Sequence, residues 1–228
     1  MSLSPRLHAI AQLIPSGSRV VDVGCDHGHL AVWLRQQGKS PFVIATDVAA
    51  QPLEAARRSA DNAGVTTGID FRLADGLEAV RPDEADIVVM AGMGGETMFG
   101  ILAKALWLTE GDHRLLLQPQ SKVPELMCFL AANGYQVQNQ HVVADNGRLY
   151  TILEATAGQM EYPQGGKRYL TQTLIERGDP LLEAYLTEQI ITLSRVAEGL
   201  ERAGDKEKLA EATAALYELE TWRGEKRS

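Results

Sequence analysis

Val20-Val21-Asp22-Val23-Gly24-Cys25-Asp26-His27-Gly28-His29-Leu30 reads as a short apolar strand, a glycine turn and the start of a helix. Such a junction brings backbone N–H groups and a helix N-terminus close to a ligand. A dinucleotide fingerprint would be G-x-G-x-x-G, its second glycine letting the backbone approach a pyrophosphate. Asp26 stands at that position, and a carboxylate there repels phosphate. It suits a cofactor that lacks phosphate and carries positive charge, as S-adenosylmethionine does through its sulfonium and α-ammonium groups. The turn therefore favours methyl transfer over hydride transfer.

The residues around this turn repeat one theme. Apolar strand patterns at 19–23, 41–46, 69–73, 85–91 and 113–118 alternate with helix patterns at 29–37, 52–63, 96–106 and 123–133. A further amphipathic helix is expected over 4–14, with Pro5 at its start. Near-continuous apolar strands separated by helices imply a doubly wound, mostly parallel α/β sheet, Rossmann-like in order. Runs at 135–143 and 148–155 flank Asp145-Asn146-Gly147. Asn-Gly between strand patterns predicts a β-hairpin, so the sheet should end in an antiparallel pair.

Gly158 and Pro163-Gln164-Gly165-Gly166 read as a linker. Two domains are expected, 1–157 and 158–228. In the second, Leu182, Leu186, Gln189, Leu193, Val196 and Leu200 form one stripe and Leu209, Ala212, Leu216 and Leu219 another, separated by Ala203-Gly204-Asp205. That pattern predicts an antiparallel, coiled-coil-like helical hairpin whose stripes form an internal core, with Tyr185 and Tyr217 beside them.

Composition narrows the classes. With 45% hydrophobic residues in 228, the chain can bury a core. No signal peptide or membrane-spanning run is evident, so a soluble, cytoplasmic protein without a membrane partner is expected. Cys25 and Cys128 are the only cysteines and do not form a C-x-x-C pair. His27 and His29 lack a third ligand at zinc spacing, so no metal is expected. The net charge is −8, with 12 basic against 17 acidic residues in 1–157 and 10 against 13 in 158–228. A nucleic-acid partner would need a local basic patch.

Each predicted strand end carries a candidate. Asp22 is placed near the cofactor's amino group, or braces the turn. Asp47 follows the second strand and can accept from both ribose hydroxyls, or cap the next helix. Asp75-Gly76 follows the third, where the carboxylate can take the adenine amine, or form a plain turn. Ala91-Gly92-Met93-Gly94-Gly95 follows the fourth and opens room for a second substrate, or is only a flexible turn. Asp26 and His27 can line the catalytic pocket. Arg6 and Lys122 are candidate anion contacts, or solvated surface. Gln118-Pro119-Gln120 either lines the pocket or ends the strand.

With these residues assembled, the chain resembles the class I S-adenosylmethionine-dependent methyltransferases. More narrowly, Leu3-Ser4-Pro5-Arg6-Leu7, Asp22-Val23-Gly24-Cys25-Asp26-His27, Ala74-Asp75-Gly76-Leu77, Ala91-Gly92-Met93-Gly94-Gly95, Leu117-Gln118-Pro119-Gln120 and Gly134-Tyr135 resemble the bacterial tRNA (adenine-22-N1)-methyltransferases. The likeness covers about residues 3–156, and Cys25 stands where the family carries serine. It implies S-adenosylmethionine as cofactor, tRNA as substrate and transfer to adenine N1. It implies cofactor contacts from Arg6, Asp22, Gly24, Cys25, Asp47 and Val48, with Asp75, Gly76 and Gly92 completing them. Asp26, His27, Gly92 and Met93 would border the target base, with Tyr150 or Phe99 available to stack on it. A monomer or weak dimer is expected. Competing readings are a methyltransferase acting on a protein or small molecule, a non-catalytic sensor or RNA-binding module, and, more distantly, an NAD-dependent dehydrogenase.

Overall fold

A computed structural model describes residues 2–225. Ser4 opens the first helix, α1 (Pro5–Leu13), its side chain accepting from the Leu7 N–H while Pro5 takes the first turn, where no donor is needed. Strands β1 (Val20–Val23), β2 (Val43–Asp47), β3 (Ile69–Leu73), β4 (Ile87–Met93) and β5 (Arg114–Pro119) then alternate with helices α2 (His29–Gln36), α3 (Ala50–Asn62), α4 (Gly95–Lys104) and α5 (Val123–Ala132). β6 (Tyr135–Asp145) and β7 (Arg148–Ala157) follow. Among the described residues the strands form one seven-stranded sheet in the order β3-β2-β1-β4-β5-β7-β6. β1 to β5 are mutually parallel, β7 is antiparallel to β5, and β6 is antiparallel to β7.

The pleat sorts strand residues onto two faces. Val21, Val23, Val88, Met90, Leu115 and Leu117 enter one buried cluster, with Met98, Leu102 and Leu126 from α4 and α5. Val20, Val43, Ala45, Ile87, Val89 and Leu116 enter the other, with Ile10 of α1 and Leu30 and Leu34 of α2. Both faces are dry, which accounts for the unbroken apolar runs in the sequence. The strand order reverses between β1 and β4, and the crevice beyond the carboxyl ends of these two strands is the natural ligand position of such a sheet.

The hairpin outgrows its neighbour. The last β5–β7 pair is Leu117↔Leu153, whereas β6 and β7 stay paired out to Asp145↔Arg148. In that register Thr151 lies level with Pro119, the end of β5, so residues 148–150 overhang it by about 10 Å at ordinary strand rise. Asn146 (φ 49°) and Gly147 (φ 75°) close the tip, as a primed two-residue turn requires. At the base, Glu154, 3% exposed, is paired by both Arg114 and His141. Burial, with Arg177 and Arg114 nearby, pushes the His141 imidazole down to about 4.

The tail differs from expectation in three ways. The stretch read as a linker is docked: Gly165–Arg168 form a 3-10 turn, the Gly166 N–H donates to Glu218 at 2.8 Å, and a Cβ on Gly166 would meet the Trp222 ring at 2.7 Å. A short helix, α6 (Gln172–Arg177), capped by Thr171 and closed by Gly178 at φ 66°, precedes the hairpin α7 (Leu182–Ala203) and α8 (Lys206–Glu225). In the stripes, Ile190 is buried where Gln189 was expected, and Val196 and Tyr217 are exposed at 48% and 73%, while Tyr185 is buried as expected. The cause is α6 and β6, which take part of the tail's apolar face: Val142 of β6 shares one core with Leu174, Leu186 and Leu219. Gln140, fully buried, donates to Thr151 at 2.9 Å and accepts from the Thr171 N–H at 2.8 Å, stitching β6 to the start of α6.

Because Gly166 leaves no room beside Trp222, Gly166→Ala is expected to cost about 1–3 kcal/mol. Urea denaturation followed by circular dichroism checks this; unchanged stability would mean the segment is loosely held.

Candidate active site

The site is built at the carboxyl ends of β1 to β5. After β1, the Gly24 and Cys25 N–H groups both donate to the Thr46 carbonyl at 2.9 Å, folding the turn back onto β2. Gly24 has φ 68°, and a Cβ there would lie 3.0 Å from Met93 Cε, so the β1 turn and the end of β4 touch across the switch point. Asp26 holds a left-handed conformation (φ 51°), uncommon outside glycine and best tolerated by Asp and Asn. Its N–H donates to Asp47 Oδ2 at 3.3 Å, and its exposed carboxylate lies 3.6 Å from His27 Nε2. His27 and His29 stack at 5.7 Å. Among the described residues no three His, Cys, Asp or Glu side chains gather as a metal set.

Asp22 is 5% exposed. Burial pushes its carboxyl up to about 7, against a hydrogen bond from the Ala31 backbone and with a smaller push from the Asp47 charge. Burial likewise pushes the Cys25 thiol up, so it stays an unreactive, packed group. Asp47 ends β2. Its Oδ1 accepts from the Ala49 N–H at 3.0 Å, while the helix cap itself falls to Ala49. Its side chain thus braces two backbone turns at the pocket rim. Val48 beside it is 73% exposed and Leu73, at the end of β3, 62%. Two bare apolar side chains at adjacent strand ends fit a flat aromatic ring better than they fit water.

Asp75 follows β3 and pairs with Lys104 at 2.6 Å, where Glu78 also contacts that lysine. Gly76 adopts φ 60°, its carbonyl is held by Thr46 Oγ1 at 2.9 Å, and the space a Cβ would occupy is taken by Ile101 at 2.8 Å. This glycine makes room for helix α4. The other glycines divide similarly. Gly95 packs its backbone against Ser121 and Lys122, and Gly94 lies against Ser121, so both seat the start of α4. Gly92 alone of the three has positive φ, +80°. It is an extra residue in β4: Ala91 pairs with Gln118 and Met93 with Pro119. The strand therefore runs on through Met93 where a loop was expected, with a bulge inside it.

Gln118 serves that bulge. Fully buried, its Oε1 accepts from the Gly92 N–H at 3.1 Å and from Arg6 Nη1 at 3.0 Å. Arg6 also lies 3.9 Å from Asp145 Oδ2 and 5.2 Å from the centre of the Tyr150 ring. Lys122, by contrast, is engaged by Glu96. Phe99 stacks on Phe129 at 5.2 Å beside the core, away from a stacking role. The contribution that sequence reading missed is the overhanging hairpin, which brings Asp145 and Tyr150 to the strand ends. Only the pairing register, unreadable from one strand alone, reveals it.

A topological switch point with carboxylates in or just beyond the last residues of β1, β2 and β3, and a bulged glycine within β4, is the strand-end arrangement of a methyltransferase. The chain matches the family model of a methyltransferase domain over residues 3–153. It is 31% identical over 166 residues to the tRNA (adenine(22)-N(1))-methyltransferase of Bacillus subtilis, covering 73% of this chain and 70% of that one. It belongs to that family of S-adenosylmethionine-dependent enzymes. The solved B. subtilis M1A22 tRNA methyltransferase superposes with a TM-score of 0.84 at 27% identity, over 97% of this chain and 99% of that one. A Streptococcus pneumoniae protein solved in complex with S-adenosyl-L-methionine gives 0.81 at 28% identity, over 96% and 99%.

The Asp22 carboxyl gives a pH signature. Its folded value lies above its unfolded one, so the folded state holds the extra proton between about pH 4 and 7. Its favourable contribution is complete below the unfolded value and is lost as pH rises through about 7. Asp22→Asn removes the titration, so the variant's stability relative to the wild type should climb from pH 5 to pH 8 in urea denaturation. A pH-independent difference would contradict the buried, protonated carboxyl.

Proposed function

We infer that the chain transfers the methyl group of S-adenosylmethionine to N1 of adenine 22 in tRNA. The observation that carries this reading is the extent of the likeness. It runs through the overhanging hairpin and the helical tail, covering 97% of the chain, and so exceeds the sheet that methyltransferases share. The pocket fits the cofactor on its own terms: exposed Val48 and Leu73 offer apolar faces to the adenine, and Asp47 stands beside them with acceptor oxygens for ribose.

When bound, S-adenosylmethionine supplies an electrophilic methyl group on a sulfonium. The adenine N1 lone pair forms the new N–C bond as the C–S bond breaks, and the positive charge passes to the base. N1 of neutral adenine carries no proton, so no general base is needed before attack. The protein's task is alignment and electrostatic support. In this reading Asp22 faces the cofactor's amino end through the Gly24 turn, and Asp47 holds the ribose. Asp75 exchanges Lys104 for the adenine amine. Asp26 and His27 lie on the exposed side of the turn and stabilise charge developing on the target base. Gly92 and Met93 border that base, and half-buried Tyr150 at the hairpin offers it a stacking face. Turning the base out of its stack costs a few kcal/mol.

The direct test is methyl transfer from labelled S-adenosylmethionine to unmodified bacterial tRNA, followed by nucleoside mass spectrometry. A 1-methyladenosine peak mapped to position 22 is expected. Bound cofactor with no methylated nucleoside would overturn the tRNA reading in favour of a protein or small-molecule substrate. Asp47→Ala should weaken cofactor binding by roughly 10- to 100-fold in calorimetry, since two ribose hydrogen bonds to a charged acceptor are lost. For Asp26 the informative change is Asp26→Asn, because Asn tolerates the left-handed backbone and removes only the charge. It should lower kcat by about tenfold or more while leaving cofactor affinity within a factor of about three; full turnover would remove Asp26 from the chemistry.

A further inference from the structure

We propose that Gln118 is a positioning residue for methyl transfer, acting through the peptide of Gly92 and the guanidinium of Arg6. The inference rests on the tRNA methyltransferase reading and deepens it.

The bulge creates the need. Where β4 carries one residue more than β5, the extra Gly92 drops out of the regular ladder, and its N–H must find another acceptor. The Gln118 side chain provides it at 3.1 Å from within the sheet. The same oxygen takes Arg6 Nη1 at 3.0 Å, and the Gln118 Nε2 donates to the Pro119 carbonyl at 3.0 Å, which fixes the amide's orientation. A carboxamide meets all three demands: one oxygen with two lone pairs and one N–H donor, fully buried.

Arg6 carries the effect outward. A Cβ on Gly92 would lie 3.2 Å from Arg6 Nη1. The guanidinium reaches to Asp145 at the hairpin tip and sits by the Tyr150 ring. One buried oxygen thus ties together the β4 bulge, helix α1 and the overhang, the parts that would flank the target base. Gln118 touches neither ligand in this scheme. It sets the height of Gly92 and Met93 over the Gly24 turn, and an error of an ångström there is enough to cost rate.

Gln118→Met preserves length and apolar packing but removes the acceptor. Single-turnover methylation of tRNA should fall by about 10- to 100-fold. The cofactor Kd and the KM for tRNA should each stay within about threefold. Gln118→Glu keeps the acceptor for Gly92 and Arg6 and, with its second oxygen protonated, the donor to the Pro119 carbonyl, so at a pH low enough to protonate it the variant should recover most of the rate. Hydrogen exchange measured without substrate should show a slow Gly92 amide in the wild-type protein and a fast one in Gln118→Met. An unchanged rate in Gln118→Met overturns the proposal. Equal loss of cofactor binding and rate, unrescued by Glu, overturns it in favour of a purely structural role. If Gln118→Met does not fold, a rapidly exchanging Gly92 amide in the wild type overturns the proposal, and a slow one together with a Glu variant of near wild-type rate supports it. Failure of the wild-type protein itself to methylate tRNA would mark instead a failure of the underlying function, since the exchange contrast needs no substrate.

Discussion

A parallel sheet covered on both faces leaves charge one place to go, the strand ends. Val20, Val21, Val23, Val43, Ile44, Val88 and Val89 are essentially excluded from water, and an unpaired carboxylate among them would be prohibitively costly. Asp22 marks the limit of that rule: it lies within β1, and burial lifts its carboxyl toward neutrality. Asp47 and Asp75 escape the cost by ending or following their strands. The reversal of strand order between β1 and β4 sets the position beyond the strand ends where such sheets take their ligands.

Glycine is where this chain is most easily misread. Gly92, Gly94 and Gly95 look alike as a run, but each answers a different demand. Gly92 supplies a positive φ for a bulge, and Gly95 lets the start of α4 press on the backbone of Ser121 and Lys122. Gly94 lies where its neighbour is a serine hydroxyl. Gly76 likewise owes its place to Ile101 of α4. A missing side chain records close approach but not what approaches, and helix packing is a commoner cause than a ligand.

The hairpin links the two parts of the chain. Its tip meets Arg6 at the strand ends, while the middle of β6 supplies Val142 to the core of the helical tail. Gln140 and Arg177 add polar stitches between β6 and α6. One antiparallel pair thus packs against the tail and also reaches the strand ends.

The α/β alternation, the final hairpin and the carboxylates after successive strands were legible in the sequence, because each depends on local chemistry: apolar runs make buried strands, Asn-Gly makes a primed turn, and a carboxylate shuns the sheet interior. The helical tail was legible in kind, though its stripes shifted to Ile190 once α6 and β6 claimed part of the surface. Residues 163–166 looked like a linker because proline and glycine mark turns wherever they occur; that Trp222 and Glu218 pack onto them is a long-range fact. The bulge at Gly92, the overhang of residues 148–150 and the meeting of Arg6, Gln118, Asp145 and Tyr150 were decided by tertiary structure alone. They depend on strand register and on contacts between residues more than a hundred positions apart, such as Arg6 and Gln118, and local sequence pattern carries no record of register.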